Sequence, residues 1–305
     1  MITFTASQRM RNSLDTPISE RNSGLLPMRL TERRIFRQNV SMRRLFCTSI
    51  LAFVVLLGGC TTLTGPSKDN PLPKSELRAA LEQMRAEPVE LERPVVVIDG
   101  WLNYGGASII NRELKELTGG EEDLFVKHHY PLIFTTLESN ARKIVKMVEE
   151  RWPSDDPEWT TEIDAVGFSM GGLIARVAAE SPRKGKKPRK RLKVKRMFTI
   201  SSPHKGTGWW LSWIPVDQMS WAVSLYGGSY RSWLNERLVE ADYDLYCYGQ
   251  GNDWVVGKNF EAAGYPEIKA RGLFLFSHTG SYGNYRHLAD IAARLRGEDP
   301  IVPDL

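Results

Sequence analysis

The sequence predicts an α/β fold with a mainly parallel central sheet and helices on both faces. Three observations lead to this prediction: apolar runs alternate with helical stretches, no internal repeat is visible, and 305 residues can bury a full core. The first strand is predicted from PVVVID at 94–99, which is continuously apolar, as in a strand buried on both faces. Helical connections between such strands make them parallel.

The remaining elements follow in the same alternation. Further strands are predicted at 124–130, 162–166, 194–201, 243–249 and 271–277. Helices are predicted from apolar spacings of three and four residues at 74–87, 107–118, 135–152, 172–180 and 284–297. Between about 205 and 240, after the strand that ends near Ser201, the alternation breaks into a stretch that holds five of the nine tryptophans. We interpret this stretch as an inserted, Trp-rich cap.

The segment MRRLFCTSILAFVVLLGGC, residues 42–60, has the features of an export signal. A basic start, an apolar run and a small-residue pair before Cys60 are typical of a secretory signal. The apolar run is shorter than the about 20 residues that a membrane span needs. A cysteine directly after the small pair resembles the lipobox of bacterial lipoproteins, although an ordinary signal anchor can also contain a cysteine.

The lipobox resemblance implies a domain organisation and a location. Residues 1–59 would be an upstream segment and a removed signal peptide, and Cys60 would carry the lipid. Residues 60–73 would form the lipidated cysteine and a tether, and 74–305 would form the folded domain. Thr61 after the cysteine implies the outer membrane, facing the periplasm.

The charge of the chain is uneven. The whole sequence has 41 Lys and Arg against 36 Asp and Glu, but nine of the basic residues and only three of the acidic ones precede Cys60. The mature chain is therefore almost neutral, which argues against a nucleic-acid partner. One run, 183–196, has ten basic residues and no acidic one; it is either a solvated surface loop or a contact for anionic lipid.

The three cysteines predict no disulfide in the domain. Cys47 lies in the signal, Cys60 would be acylated, and Cys247 is left without a partner.

The stretch GFSMG, residues 167–171, lies at a predicted strand-to-helix junction. A sharp turn there needs residues without side chains on either side of Ser169, and it lifts the serine hydroxyl above the sheet. The N–H groups at the start of the next helix, Met170 first, point toward the charge that develops on an attacked carbonyl. This pattern predicts a nucleophilic serine.

A nucleophilic serine needs a base, and two histidines follow the cap. His278 directly follows a predicted strand and is our candidate base. His287, inside a helical pattern, is the alternative; if it is not the base, we expect it to face solvent.

The candidate acid is Asp253, in a glycine-rich turn beyond the strand at 243–249. Asp242 and Asp244 lie before or within that strand and are less suitable. A second backbone donor for the oxyanion is expected from Trp101 or Leu102, in the loop after the first strand, where Gly100 allows close approach.

Five motifs in order resemble the α/β-hydrolase superfamily, in particular its bacterial lipase and esterase branch. They are PVVVIDGWLN, VGFSMGGLIAR, FTISSPHKGT, GNDWVV and SHTGSY, within about residues 91–296. The resemblance implies an α/β-hydrolase fold, a serine hydrolase that acts on acyl esters, and no cofactor or metal. His204 matches a histidine of that family that is usually structural, and Ser202 stands where the family has threonine.

One departure concerns the oxyanion loop. The family usually has His-Gly there, whereas this sequence has Asp99 before Gly100. A carboxylate beside the oxyanion opposes its charge unless the carboxylate is paired or turned away. His128 and His129, adjacent on a predicted strand, point to opposite faces, which argues against a shared metal site.

The substrate is indicated by the cap alone. Trp209, Trp210 and Trp213 suit an acyl-binding pocket or a membrane interface, or they form the core of the cap itself. Ester hydrolysis through an acyl-enzyme is the favoured reaction. Alternatives are an acyltransferase with the same residues, a thioesterase or amidase, and a lipoprotein that uses the fold for binding.

Overall fold

The computed structural model describes residues 61–68, 70–101, 105–129, 136–182, 189–206, 229–262, 264–265, 267–270 and 277–302. The predicted signal, Cys60 and residues 207–228 lie outside this part of the chain. The predictions made for Cys60, Leu102, Trp209, Trp210 and Trp213 therefore concern positions that the structure does not describe.

The described residues form a six-stranded sheet in which every pair of neighbouring strands is parallel. The strands are β1 (Val95–Ile98), β2 (Phe125–His128), β3 (Ile163–Phe168), β4 (Val194–Ile200), β5 (Asp244–Gln250) and β6 (Glu267–Ala270). Their order across the sheet is β2-β1-β3-β4-β5-β6. The predicted α/β fold, with a mainly parallel sheet covered by helices, is confirmed for the described residues, whereas most of the predicted Trp-rich cap lies outside them.

Helices cover both faces of the sheet. They are α1 (Lys74–Ala86), α2 (Gly106–Thr118), α3 (Leu137–Arg151), α4 (Met170–Ala179), α5 (Ser229–Arg237), α6 (Ser277–Gly280) and α7 (Tyr285–Leu295). Among the described residues, one-turn 3₁₀ helices lie at Glu122–Leu124, Leu238–Glu240, Gly257–Phe260 and Ser281–Gly283. In the part of the chain that the structure describes, no helix combines the length and the apolar character needed to cross a bilayer.

The core consists of two apolar layers, one on each face of the sheet. Side chains alternate along a strand, so Val96 and Ile98 of β1 pack with α3 and α4 on one face. Val95 and Val97 pack with α1, α2 and α7 on the other. All four β1 residues and all six β3 residues are buried, as expected for a parallel sheet covered on both faces.

The sixth strand differs from the sequence prediction. We predicted the last strand at 271–277, but β6 is Glu267–Ala270; residues 271–276 lie outside the described part of the chain, and Ser277 begins α6. The segment EIKA has only four residues and only Ile268 and Ala270 are buried, so its pattern is too weak to identify an edge strand.

The segment before α1, which we predicted to be a tether, contacts the domain. The backbone of Thr62 bonds in both directions, to the Gly283 carbonyl at 2.8 Å and from the Tyr285 N–H at 3.0 Å. The fully buried Arg286 guanidinium donates to the carbonyl oxygens of Thr64, at 3.1 Å, and Asn70, at 3.2 Å. The described residues of 61–72 therefore lie against the domain and supply carbonyl acceptors to this buried arginine.

In the described half of the basic run, from Arg189 onward, three arginines contact other residues of the domain. Arg189 donates to the Ala178 carbonyl at 3.1 Å, and Arg191 stacks over the Trp159 ring with 3.6 Å between the guanidinium carbon and the ring centroid. Arg196 forms an ion pair of 2.6 Å with the buried Asp164. These contacts favour a structural role for this half of the run over a solvated loop.

The order of the strands creates a crevice at one place. After β1 the chain moves outward to β2, and it then returns past β1 to form β3. Loops that follow β1 and β3 diverge at this switch point, and ligands of open parallel sheets bind in the crevice beyond the carboxyl ends of such strands.

Candidate active site

Ser169 stands at the switch point, in the tight turn between β3 and α4. Its backbone is strained, with φ 52° and ψ −121°, a conformation that non-glycine residues rarely adopt. The glycines around it are required by close approach: a Cβ on Gly167 would lie 2.4 Å from the Gly172 nitrogen, and one on Gly171 would lie 2.4 Å from the Ile98 carbonyl oxygen. The local sequence thus folds as the predicted elbow.

His278 lies directly over this serine. Its Nε2 is 3.0 Å from Ser169 Oγ. The imidazole also packs on the Phe168 ring, with ring centroids 5.3 Å apart, and the Tyr282 ring contacts Phe168 edge-on with ring centroids 5.1 Å apart. These aromatic contacts fix the plane of the imidazole in the crevice.

Asp253 completes a chain of hydrogen bonds. Its Oδ2 is 2.8 Å from His278 Nδ1, and its Oδ1 accepts the N–H groups of Val255 and Val256 at 2.9 and 3.0 Å. Burial by itself would raise the pKa of this carboxyl, but the His278 charge and these hydrogen bonds together lower it below its usual value. With Nδ1–H donating to Asp253, Nε2 is left to accept the Ser169 O–H.

Two serines that the sequence analysis missed stabilise the segment 277–283, which carries His278 and is called the histidine loop below. Ser277 Oγ donates to the Asn252 carbonyl at 2.5 Å, which ties α6 to the loop that carries Asp253. Ser281 Oγ donates to the His278 carbonyl at 2.7 Å. Both serines stand in SHTGS, residues 277–281, but only tertiary contact distinguishes them from surface serines.

His287, the alternative base, lies apart from this hydrogen-bond chain. It is fully buried in α7, with its ring 5.5 Å from that of Tyr248 and Nδ1 3.3 Å from the Ser281 carbonyl oxygen. Burial lowers the pKa of His287 to about 4. The expectation that it faces solvent is wrong, because α7 buries this face against the sheet.

The carboxylate of Asp99 is both paired and enclosed. Its Oδ2 is 2.6 Å from His129 Nδ1, and its Oδ1 accepts the Gly100 and Ala107 N–H groups at 3.0 and 3.2 Å. Burial raises the pKa of Asp99 to about 6, although His129 and the two N–H groups act in the opposite direction. The carboxylate that we expected to weaken an oxyanion site is thus paired, with hydrogen-bond partners on both of its oxygens.

His204 follows the end of β4, and its carbonyl oxygen accepts the Asn235 side-chain amide at 3.3 Å from α5, which lies within the range predicted as the cap. Arg176 Nη1 donates to its Nδ1 at 2.9 Å, and its Nε2 donates to Thr199 Oγ1 at 2.9 Å. Burial and the Arg176 charge lower the pKa of His204 well below its usual value. Arg176 also reaches Asn235 Oδ1 at 3.4 Å, so the cluster joins the core to α5.

Two backbone N–H groups are candidates for an oxyanion site. Met170 is the first residue of α4, and Trp101 follows Gly100 at the start of the loop after β1. Trp101 is partly buried and packs against the α3–α4 layer of the core. Among the residues described, no cluster of His, Cys, Asp or Glu side chains could hold a metal ion. Cys247 is a buried free thiol in β5.

Comparison with known proteins found one matching family model. The sequence model of the family described as palmitoyl protein thioesterase matches residues 113–252, slightly under half of the chain. The match includes Ser169 and ends one residue before Asp253. No curated protein matches the chain. The family match supports an α/β hydrolase that cleaves esters.

Three solved structures are similar to parts of the chain. A lipase of Bacillus licheniformis, in its propeptide form, has 16% identity and a TM-score of 0.43 over 64% of this chain and 49% of its own. A phospholipase of Legionella pneumophila, in complex with thio-NAD, has 14% identity and a TM-score of 0.36 over 51% of this chain and 38% of its own. A protein of Agrobacterium vitis described as a hydrolase has 14% identity and a TM-score of 0.40 over 71% of this chain and 90% of its own. The chain thus spans about half the length of the lipase and less of the phospholipase.

Proposed function

We propose that this protein is a serine hydrolase that cleaves carboxylic esters or thioesters of acyl groups through an acyl-enzyme. The observation that carries the proposal is the hydrogen-bond chain in the crevice, in which Ser169 Oγ lies 3.0 Å from His278 Nε2 and His278 Nδ1 lies 2.8 Å from Asp253 Oδ2. A nucleophile, a base and a group that orients the base are the parts that acyl transfer to serine needs.

In the proposed reaction, Ser169 Oγ attacks the acyl carbonyl carbon while His278 Nε2 takes the hydroxyl proton. The carbonyl oxygen becomes an oxyanion that accepts hydrogen bonds from the Met170 and Trp101 N–H groups. When the intermediate collapses, the bond to the leaving alcohol or thiol breaks and the leaving group takes the proton from His278. Water, deprotonated by the same imidazole, then attacks the acyl carbonyl carbon, and as the bond to Ser169 Oγ breaks this oxygen takes the proton back from His278 and the acid is released.

The role proposed for Asp253 is to hold His278 in one tautomer and to stabilise the imidazolium that forms after proton transfer. Its lowered pKa supports this role, because the carboxyl is then ionised at neutral pH. The two N–H groups that bond its other oxygen keep the carboxylate aimed at the imidazole.

A long acyl chain is the substrate class that the available observations favour. The matched family is described as palmitoyl protein thioesterase, and a palmitoyl group is a long acyl chain. Trp209, Trp210 and Trp213, in the predicted cap, would supply apolar surface for such a chain. An attached alcohol or thiol would face the open side of the crevice.

The function is tested on the purified fragment 61–305, which keeps the segment that Arg286 binds. We expect a fluorophosphonate probe to label wild-type protein and not the Ser169→Ala variant, because the probe reacts with an activated serine. We also expect hydrolysis of p-nitrophenyl esters and of matched thioesters to increase from short to long acyl chains.

Three outcomes separate the alternatives. If an added alcohol receives most of the acyl group, the protein is an acyltransferase that uses the same residues. If rates fall as the acyl chain lengthens, the long-chain substrate is wrong. If the wild-type protein is not labelled at all, the hydrolase proposal fails and a lipoprotein that uses the fold for binding replaces it.

We further propose that the protein is anchored by lipid at Cys60 to the outer membrane, facing the periplasm. The sequence of 42–60 supports this proposal. Thr62 bonds to Gly283 and Tyr285, at the end of the histidine loop. A lipid attached at Cys60, two residues before Thr62, would be separated from this contact by a chain length of about 7 Å. The enzyme would then act on acyl groups that the bilayer presents.

The anchor is tested by fractionation of cells that express the full chain. We expect Cys60→Ala to move the protein from the membrane fraction to the soluble fraction, because the acylation site is lost. Cys247→Ala is the matched control, since it removes a buried thiol and leaves the signal unchanged. Membrane association that persists in Cys60→Ala contradicts the anchor.

A further inference from the structure

Asp99 occupies the point where the chain leaves β1 for the loop that precedes α2. Its side chain is fully buried. A single oxygen, Oδ1, accepts the N–H of Gly100 at 3.0 Å and the N–H of Ala107 at 3.2 Å. These two donors are at opposite ends of the loop, so one carboxylate oxygen ties the start of the loop to its end.

The loop start also touches the turn that carries Ser169. A Cβ built on Gly100 would lie 2.7 Å from the Phe168 ring and 3.0 Å from Ser169 Cβ. On the other side, a Cβ on Gly171 would lie 2.6 Å from the Asp99 carbonyl oxygen. The backbone at 99–100 is therefore in contact with the elbow, and a shift there changes the space in front of the Ser169 hydroxyl.

His129 holds the second oxygen of the same carboxylate. The Asp99 N–H donates to the His128 carbonyl at 3.0 Å, which continues the pairing of β1 with β2 and brings His129 beside Asp99. His129 Nδ1 lies 2.6 Å from Asp99 Oδ2, and its Nε2 lies 3.4 Å from Ser108 Oγ in the first turn of α2. The carboxylate is thus held from β2 and from α2.

The Asp99 carboxylate lies at the N-terminus of α2, where its negative charge is favourable. Gly105, before α2, provides no side-chain cap, so Asp99 supplies the acceptor for an N–H of the first turn from outside the helix. A negative charge at a helix N-terminus is stabilised by the helix dipole. Both oxygens have donors, so the carboxylate is occupied rather than directed at a reacting acyl group.

We propose that Asp99, held by His129, is a positioning residue that fixes the loop after β1 so that the Trp101 N–H faces the oxyanion. This inference rests on the proposed function. It names the residues that position one of the two N–H groups proposed for the oxyanion site, that of Trp101. Asp99 acts through the backbone of the loop and not on the substrate. The aspartate that precedes Gly100 is then a support for the oxyanion site.

Two variants of Asp99 separate positioning from charge. Asp99→Asn keeps a carbonyl oxygen for the Gly100 and Ala107 N–H groups, whereas Asp99→Ala removes it. We expect Asp99→Ala to lower kcat about tenfold to a hundredfold with KM little changed, because an oxyanion donor acts in the transition state. Asp99→Asn is expected to restore most of kcat.

The control for a merely structural effect is Asp164→Ala. Asp164 is also a buried, ion-paired aspartate of this sheet, bound to Arg196, but it lies in β3 away from the crevice. We expect Asp164→Ala to lower the melting temperature and to leave kcat per folded molecule unchanged. If Asp99→Ala and Asp164→Ala both lose kcat in proportion to their loss of melting temperature, the proposal is overturned.

Amide hydrogen exchange provides a readout that does not depend on activity. We expect the amides of 100–107 to exchange faster in Asp99→Ala than in wild type, and at the wild-type rate in Asp99→Asn. Unchanged exchange and unchanged kcat in Asp99→Ala overturn the role of Asp99. If wild-type protein fails to react with the fluorophosphonate probe, the proposed function fails, and unchanged exchange in Asp99→Ala overturns the role of Asp99 separately.

Discussion

Replacement of His278 by Gln is expected to lower hydrolysis and fluorophosphonate labelling by about 10⁴-fold or more. Glutamine cannot take the Ser169 proton, and His278 is the side chain that links Ser169 to Asp253, at 3.0 and 2.8 Å. The Phe168 ring and both loops would remain in place, so the fold should survive. The loss is measured as kcat/KM for an ester and as the rate of probe labelling.

The matched control is His287→Gln, at the other histidine considered as a base. His287 is fully buried and contacts Tyr248 and the Ser281 carbonyl, so its substitution is expected to reduce stability by about 1–3 kcal/mol and to spare turnover per folded molecule. Stability is measured by urea unfolding alongside the rates. Loss of labelling in His287→Gln with retention in His278→Gln would show that the base is assigned wrongly.

The second large effect is expected for Gly171→Ala, which should destabilise the protein by about 3–5 kcal/mol. The added Cβ would lie 2.4 Å from the Ile98 carbonyl oxygen and 2.6 Å from that of Asp99. Both atoms belong to the backbone at the end of β1, so the clash is relieved only if α4 moves away from the sheet. The free energy of unfolding, measured in urea, checks this expectation.

Gly251→Ala is the corresponding control, because nothing lies within 4 Å of a Cβ at that position. Its effect is expected to stay within about 1 kcal/mol, since the added methyl group also reduces the freedom of the unfolded chain. Equal stability of the two alanine variants would mean that β1 and α4 are less tightly packed than the structure has them.

Local patterns were sufficient to predict most of the fold. PVVVID is continuously apolar and forms β1, and the helical spacing of TTLESNARKIVKMVEERW corresponds to α3. The strand β6 was missed, because EIKA at a sheet edge is short and half-exposed. Periodicity identifies an element when a whole face is buried, and an edge strand of four residues does not provide that signal.

The candidate site was predictable to a similar degree. The positions of Ser169 and Asp253 beyond strand ends follow from the sequence, because the carboxyl ends of parallel strands meet at one edge. The strand predicted directly before His278 lies mostly outside the described residues. The burial of His287 was not predictable, since a helical pattern does not indicate which face packs against the sheet. The contacts of Ser277 and of Ser281 were not predictable either, because each bonds a backbone carbonyl on the histidine or acid loop.

The sequence by itself determined the alternation of strands and helices, the tight turn around Ser169, and the order of serine, acid and histidine. Only the tertiary structure decided that Asp99 is bound by His129 and two N–H groups, and that the segment near Thr62 lies on the domain. The reason is physical. Turns and apolar faces depend on neighbouring residues, whereas the pairing of a buried charge depends on groups that only folding brings within hydrogen-bond distance.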